Sequence, residues 1–187
     1  MWVSKEVRIY IEMEKNHQMI LLEQLVDRYQ KQLINFSYTY VKDWGKAEDI
    51  IQEVFVSCYK HLKSFQEKSS YKTWLYTIAR NKSIDHLRRE RFSLFHLNLH
   101  ERFKSNELSP DEVAVASDEK QELSHKVLSL PVKYRETIIL FYYESLTIQE
   151  ISELTKTKMS TVKTRLRRGR DLLRQAYERG EKSWRIN

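Results

Sequence analysis

The sequence predicts an all-α protein, two small helical domains joined by a flexible linker. Three observations carry this. Only three Gly and two Pro stand among 187 residues, too few to supply the turns of a sheet protein. Apolar residues recur at helical spacing along most of the chain. Two Ser/Thr-x-x-Glu signatures, Ser109 to Glu112 and Thr147 to Glu150, mark helix starts. A hydrophobic content of 41% suffices for one core or two small ones.

The elements follow in order. Leu22, Leu25, Val26, Tyr29, Leu33, Phe36 and Tyr40 form one stripe of a long amphipathic first helix. Residues 46–63 give a second helix, with Ala47, Ile51, Val54, Phe55, Cys58 and Leu62 on one face, and 71–91 a third. SLFHLNLHERFKSNEL keeps neither the helical nor the strand period and reads as a linker. The domains are therefore 1–91 and 110–187, with 92–109 between them. Ser109 as N-cap, Pro110 at the first helical position and Glu112 at N3 open a helix over 110–129. Pro131 starts the next, through IILFYYESL. Thr147 and Glu150 box a short helix over 148–155, and the last spans 160–178.

Charge narrows the class. Lys and Arg number 33 against 26 Asp and Glu. Between Lys158 and Arg174 seven basic residues face Asp171 alone, whereas between Glu107 and Glu122 six acids face Lys120 alone. The basic end suits a polyanion and the acidic stretch an extended tether. No run of about 18 apolar residues exists, and MWVSKEVRIYIEMEK is too charged for a signal peptide, so a cytoplasmic protein without membrane insertion is expected. Cys58 is the single cysteine. It makes no internal disulfide, and no Cys/His cluster has zinc-ligand spacing. Scattered His, with no nucleophile, paired carboxylates or Gly-rich loop, argue against an enzyme and against a metal or cofactor.

Three stretches carry recognition chemistry. In the last helix, a projection at helical periodicity turns Val162, Leu166, Gly169, Leu173 and Ala176 inward. Ser160, Lys163, Thr164 and Arg167 point outward, with Thr161, Arg168 and Arg170 on the flanks. Arg and Lys donate to guanine edges, Thr meets a thymine methyl and flanking Arg holds phosphate, so this is a major-groove reader behind a short capped helix. Lys156 stands where such turns often carry Gly; a left-handed Lys there costs about 1 kcal/mol. The turn is expected to be longer or differently shaped, with Thr157 or Ser160 as candidate caps of the last helix.

In the third helix and the loop before it, Phe65, Tyr71, Trp74 and Tyr76 mix with Arg80, Lys82, Arg88, Arg89 and Arg91. Trp74, Ile78, Asn81, Asp85 and Arg88 share one stripe. Aromatic rings stack on unpaired bases, Asn bonds a base edge and Arg holds the backbone, which suits single-stranded nucleic acid. Core placement of Trp74 and Tyr76 is the simpler alternative. On the second helix, Asp49, Gln52, Glu53 and Val56 share the face opposite the apolar one. A small apolar contact with a negative rim suits a basic protein surface and repels DNA.

The motifs AEDIIQEVF, YKTWLYTIARNKSIDHLRR and LPVKYRETIILFYYESLTIQEISELTKTKMSTVKTRLRRGRDLLR, in that order, resemble regions 2 and 4 of the extracytoplasmic-function (ECF) sigma factors of the sigma-70 family. The resemblance covers 20–91 and 110–176; Met13 is an alternative start beyond it. It implies a subunit that directs bacterial core RNA polymerase to promoters in a stress or envelope response, held in check by an anti-sigma factor. It implies that Asp49, Gln52 and Glu53 grip the polymerase clamp coiled coil. The loop holding Ser64, Phe65 and Ser69, with Trp74, Arg80, Asn81, Arg88 and Arg89, would lie at the melted −10 element with a flipped base. Lys163, Thr164, Arg167 and Arg168 would read the −35 duplex. Lys156 and Lys158 depart from the family's usual turn Gly and Ser. The alternative from the residues themselves is a polymerase-independent helix-turn-helix regulator, although no sensor or phospho-acceptor domain accompanies it. A recombinase would need a nucleophilic Ser or Tyr domain.

Overall fold

The computed structural model describes residues 5–66, 69–97 and 118–184, and among them every regular element is a helix. The chain divides into two compact units, Met1–His100 and Glu101–Asn187.

The first unit holds α1 (Lys5–Val41), α2 (Trp44–His61), a 3-10 turn (Leu62–Ser64) and α3 (Tyr71–Leu97). Leu25, Leu33, Phe36 and Tyr40 of the expected α1 stripe are buried. Ser37, Tyr38, Thr39 and Val41 are buried as well, so the end of α1 is enclosed on every side. The cause is packing of both α2 and α3 against it. Phe36 meets Tyr76 of α3 at 5.1 Å and Tyr40 at 5.3 Å between ring centroids, while Tyr38 stacks on Trp44 at 4.0 Å. Lys42, at a left-handed φ of 54°, turns the chain. Asp43 then caps α2 by accepting from the Lys46 N–H at 3.0 Å.

Inside α2, Ala47, Ile50, Ile51, Val54 and Cys58 are buried, as the periodicity expects for all but Ile50; Phe55 is only half-buried. Ser70 caps α3, its Oγ accepting from the Thr73 N–H at 3.1 Å. The core face of α3 is Leu75, Tyr76, Ala79 and Ser83, so Tyr76 is a core residue and no base platform. The helix also runs past the expected Arg91: residues 92–97, assigned to the linker, continue it.

The second unit holds α4 (Asp118–Ser129), α5 (Val132–Ile138), a π turn (Ile139–Tyr143), α6 (Ile148–Thr155) and α7 (Met159–Trp184). Ser109, Pro110, Asp111 and Glu112, with the helix start expected there, lie outside the described residues. The buried Arg135 guanidinium donates to the Leu128 and Leu130 carbonyls at 2.6 and 3.1 Å, closing the C-terminal end of α4. Thr147 and Glu150 form the expected capping box: the Glu150 N–H reaches the Thr147 hydroxyl at 3.2 Å and the Thr147 N–H reaches the Glu150 carboxylate at 2.8 Å.

The turn between α6 and α7 departs from expectation in an instructive way. Lys156 is left-handed, φ 53° and ψ 41°. Its N–H reaches the Glu153 carbonyl at 3.2 Å, and the Thr157 N–H reaches the Ser152 carbonyl at 3.0 Å. These are the two bonds of a Schellman cap. The turn is thus the ordinary one, with Lys held in the position Gly favours. Ser152 fixes it by donating to the Thr157 carbonyl at 2.6 Å, and the Thr155 and Thr157 hydroxyls share a bond of 2.8 Å. Thr157 therefore serves this turn. Gly169 of α7 is buried against α5, where an added Cβ would lie 3.0 Å from Ile138 Cγ1.

Relief of the left-handed strain at Lys156 outweighs the added chain entropy of Gly. Lys156→Gly is expected to stabilise the second unit by about 0.5–1 kcal/mol, raising its thermal midpoint. A Gly variant no more stable than the parent in thermal unfolding would contradict the strain.

Candidate functional site

Three surfaces emerge, each on the outer side of a helix whose inner side is core. The first lies along α2. Asp49, Gln52, Glu53 and Val56 are all exposed, Val56 by 54%. The structure divides them. Gln52 and Val56 border an open groove of about 790 Å³ between α1 and α2, floored by Leu22, Val26 and Phe55 with Met19 and Tyr59 at its edge. Glu53 turns instead to α3, where the Lys82 ammonium donates to its carboxylate at 2.9 Å. That bond, with Arg89 and His86 nearby, holds the Glu53 carboxyl below the usual glutamate range. Glu48 is the carboxylate that lines the groove, Asp49 stands exposed next to it on α2, and Glu53 adds least to the negative rim. Sequence reasoning missed Met19 and Tyr59 and read Leu22 only as part of the apolar stripe of the first helix, where the structure leaves it half-buried in the groove.

The second surface joins the end of α2 to the start of α3. His61, Ser64, Phe65, Gln66, Ser69 and Trp74 line an open cavity of about 360 Å³, within the size of small-molecule clefts. Phe65 is its aromatic centre, stacked on Tyr71 at 4.6 Å and leaning on Trp74 at 4.7 Å. Ser64 donates to the His61 carbonyl at 2.9 Å, and His61 Nδ1 lies 2.8 Å from the Ser57 carbonyl. Nδ1 then carries a proton, which leaves Nε2 for another partner. Ser64, Phe65, Ser69 and Trp74 are thus brought together as expected, joined by His61 and Gln66, which no sequence pattern marks.

Arg80, Asn81, Arg88 and Arg89 are not part of that cavity. Asn81 is exposed, and seven residues of helix set it roughly 10 Å along the axis from Trp74. One base does not meet both. Arg80 is half-buried, Arg88 is exposed and pairs with Asp85 at 3.6 Å, and exposed Arg89 lies near Glu53. The α3 cations thus form a track leading away from the cavity.

The third surface is on α7. Val162 and Leu166 are buried, with Gly169, as projected, whereas Leu173 and Ala176 are half-buried. Ser160, Thr161, Lys163, Thr164, Arg167 and Arg168 are all exposed. The Thr164 hydroxyl donates to the Ser160 carbonyl at 2.9 Å, leaving its methyl and oxygen lone pairs outward. Arg167 stands on the exposed face with no acid committed to it among the described residues.

Among the described residues no group of three or more His, Cys, Asp or Glu could hold a metal ion, and no helix is long and apolar enough to cross a membrane. The Cys58 thiol is buried, and burial pushes its pKa up to about 11, which makes it a core residue and not a nucleophile.

Residues 25–93 match the family model of Sigma-70 region 2, and residues 120–173 that of Sigma-70, region 4. The ECF RNA polymerase sigma factor SigW of Bacillus subtilis (strain 168) is 32% identical over 160 residues, spanning 81% of this chain and 86% of the relative. The ECF RNA polymerase sigma factor SigX of the same organism is 31% identical, spanning 82% of each. The fold is that of the sigma factor RpoE solved with the anti-sigma factor NepR from Bartonella quintana, at a TM-score of 0.74, 22% identity and coverage of 83% of this chain and 96% of that one. CnrH, solved with the cytosolic domain of CnrY, matches at a TM-score of 0.64 and 20% identity, over 91% of this chain and 96% of that one. With both regions present in order and relatives alike over most of their length, the chain belongs to the ECF sigma factors of the sigma-70 family.

Proposed function

We propose that this chain is a dissociable initiation subunit that carries core RNA polymerase to promoters, acts in the cytoplasm and performs no catalytic chemistry of its own. The observation that carries the reading is the presence of regions 2 and 4 in one chain. A regulator that works without polymerase has no use for region 2, and that alternative loses its ground.

Within this reading each surface takes one role. The α1/α2 groove with Gln52, Val56 and the Asp49 rim receives a basic, partly apolar protein element, the polymerase clamp. An anti-sigma factor, the kind of partner solved with the structurally similar sigma factor RpoE, would silence the chain by excluding polymerase. The cavity around Phe65 and Trp74 takes a flipped base of the −10 element. Extrusion costs a few kcal/mol, and aromatic contact together with the polar edge of His61, Ser64 and Gln66 offsets it. Asn81 and Arg88 then serve the neighbouring nucleotides. The outer face of α7 reads the −35 duplex.

Asp49→Arg is expected to weaken core polymerase binding about tenfold, or about 1.4 kcal/mol, with circular dichroism unchanged. Glu53→Arg is a poorer probe, because it would place a third cation beside Lys82 and Arg89 and disturb α3 as well. Unaltered affinity of the Asp49→Arg protein for core polymerase removes the clamp assignment.

Arg167→Ala should relax preference at one or two −35 base pairs, at about 1–3 kcal/mol for a bidentate contact. Arg168→Ala should weaken binding to every duplex and lower its salt dependence. Equal losses for the two variants on all −35 sequences would deny Arg167 a reading role.

Trp74→Ala and Asn81→Ala should both leave assembly with core polymerase intact and impair promoter melting, with Trp74→Ala the more severe because it opens the cavity. A template already unpaired at −10 should restore much of the lost transcription. Permanganate footprinting of unpaired thymines checks this, and normal melting on duplex DNA by the Trp74→Ala holoenzyme defeats the cavity's role.

A further inference from the structure

We infer that Met159, the first residue of α7, reads a thymine of the −35 element through the C5-methyl group of that base. The inference rests on the −35 reading of α7 and adds an apolar contact beside the polar ones.

Met159 stands out by its place. Among the described residues of α6 and α7 it is the one large apolar side chain left exposed, by 46%, whereas Ile151, Leu154, Val162 and Leu166 are buried. Its neighbours Lys158 and Ser160 are exposed and polar. Helical spacing puts Met159 in one row with exposed Lys163 and Arg167, at i, i+4 and i+8. A lone exposed apolar residue is ordinary elsewhere on a surface, but this one opens the row that carries the base-reading cations.

The backbone on either side of it is fixed. The Ser152 hydroxyl donates to the Thr157 carbonyl at 2.6 Å, and the Lys158 carbonyl accepts from the Thr161 and Val162 N–H groups at 2.8 and 3.1 Å. The start of α7 is thus tied back to α6 and forward to its own first turn, and Met159 projects from a held position.

A reading helix in the major groove meets base edges with its N-terminal residues. The donors and acceptors of the bases suit Lys163 and Arg167, and the one apolar group a base presents there is the thymine methyl. An unbranched thioether adapts to such a group without a single fixed rotamer. Eight residues of helix set Met159 roughly 12 Å along the axis from Arg167, against about 3.4 Å per base-pair step. The two side chains therefore serve different base pairs, and Met159 extends the reading face beyond its cations.

The test uses holoenzyme formed from the full-length chain and core polymerase, bound to promoter duplexes carrying the −35 element mapped from its transcripts. Each thymine of that element is replaced in turn by 2′-deoxyuridine, which removes one methyl group and leaves base pairing unchanged. At one position the replacement should weaken the parent holoenzyme about fourfold, the factor that burial of one methyl group gives. Met159→Ala should not respond there, and Met159→Leu, which keeps an apolar side chain, should retain the response. Equal responses of the parent and Met159→Ala at every thymine overturn the inference. So does an equal loss by Met159→Ala on all duplexes, a scrambled −35 included, which would mark a contact with the DNA backbone. A parent holoenzyme that does not tell the −35 element from the scrambled one removes the α7 reading and this inference with it; one that does, while sharing its uracil response with Met159→Ala, removes the inference alone.

Discussion

A helix packed on one side only, as α2 and α7 are, leaves its other side to solvent, and that constraint sets out the surfaces these helices offer. Burying one large aliphatic side chain is worth about 1.5–3 kcal/mol, whereas an exposed ion pair is worth less than about 1 kcal/mol. The inner sides, Ala47, Ile51 and Val54 on α2 and Val162 and Leu166 on α7, are therefore fixed by folding. The outer sides, Asp49 and Val56 on one and Lys163 and Arg167 on the other, contribute little to stability and are free to serve recognition. Stability and recognition thus run along the same helices without competing for the same residues.

The first unit shows where this separation weakens. Glu53 lies on the outer side of α2 by periodicity, yet it is bonded to Lys82 of α3. A carboxylate drawn off by an internal cation has less charge to offer a partner, so the acidic rim narrows toward Asp49 and Glu48. The same bond draws α2 and α3 together beside Arg89 and His86. It offsets some of the like-charge repulsion on α3, the helix with the densest basic run of the unit.

Legibility in the sequence followed the range of the interaction. Stripes, the Thr147/Glu150 capping box and the inward Gly169 are local or periodic, and they could be read directly. The enclosure of Ser37 to Val41 could not, because a period describes one helix and not the number of neighbours that pack on it. The cavity joins the end of α2 to the start of α3, and its members His61 and Gln66 share no motif with Trp74. The Glu53 and Lys82 pair spans 29 positions, and nothing in either stretch marks it. At Lys156 the residue type argued against a tight turn, but Ser152, Thr155 and Thr157 supply three hydrogen bonds that hold it. Propensity lost there to local bonding, as expected when the strain is only about 1 kcal/mol.

On the function proposed above, two recognition units share one chain, and this changes what each must achieve. Once one unit is engaged, the other binds as an intramolecular partner at an effective concentration set by the connecting segment, so joint affinity exceeds either alone by orders of magnitude. A short reading face such as that of α7 then needs only a few base contacts, backed by phosphate contacts that position without specifying. The cavity around Phe65 need not hold a base against stacking by itself, since the duplex contact has already been made. Selectivity then resides in the product of two modest discriminations, neither strong enough alone to hold the chain on DNA in the wrong place.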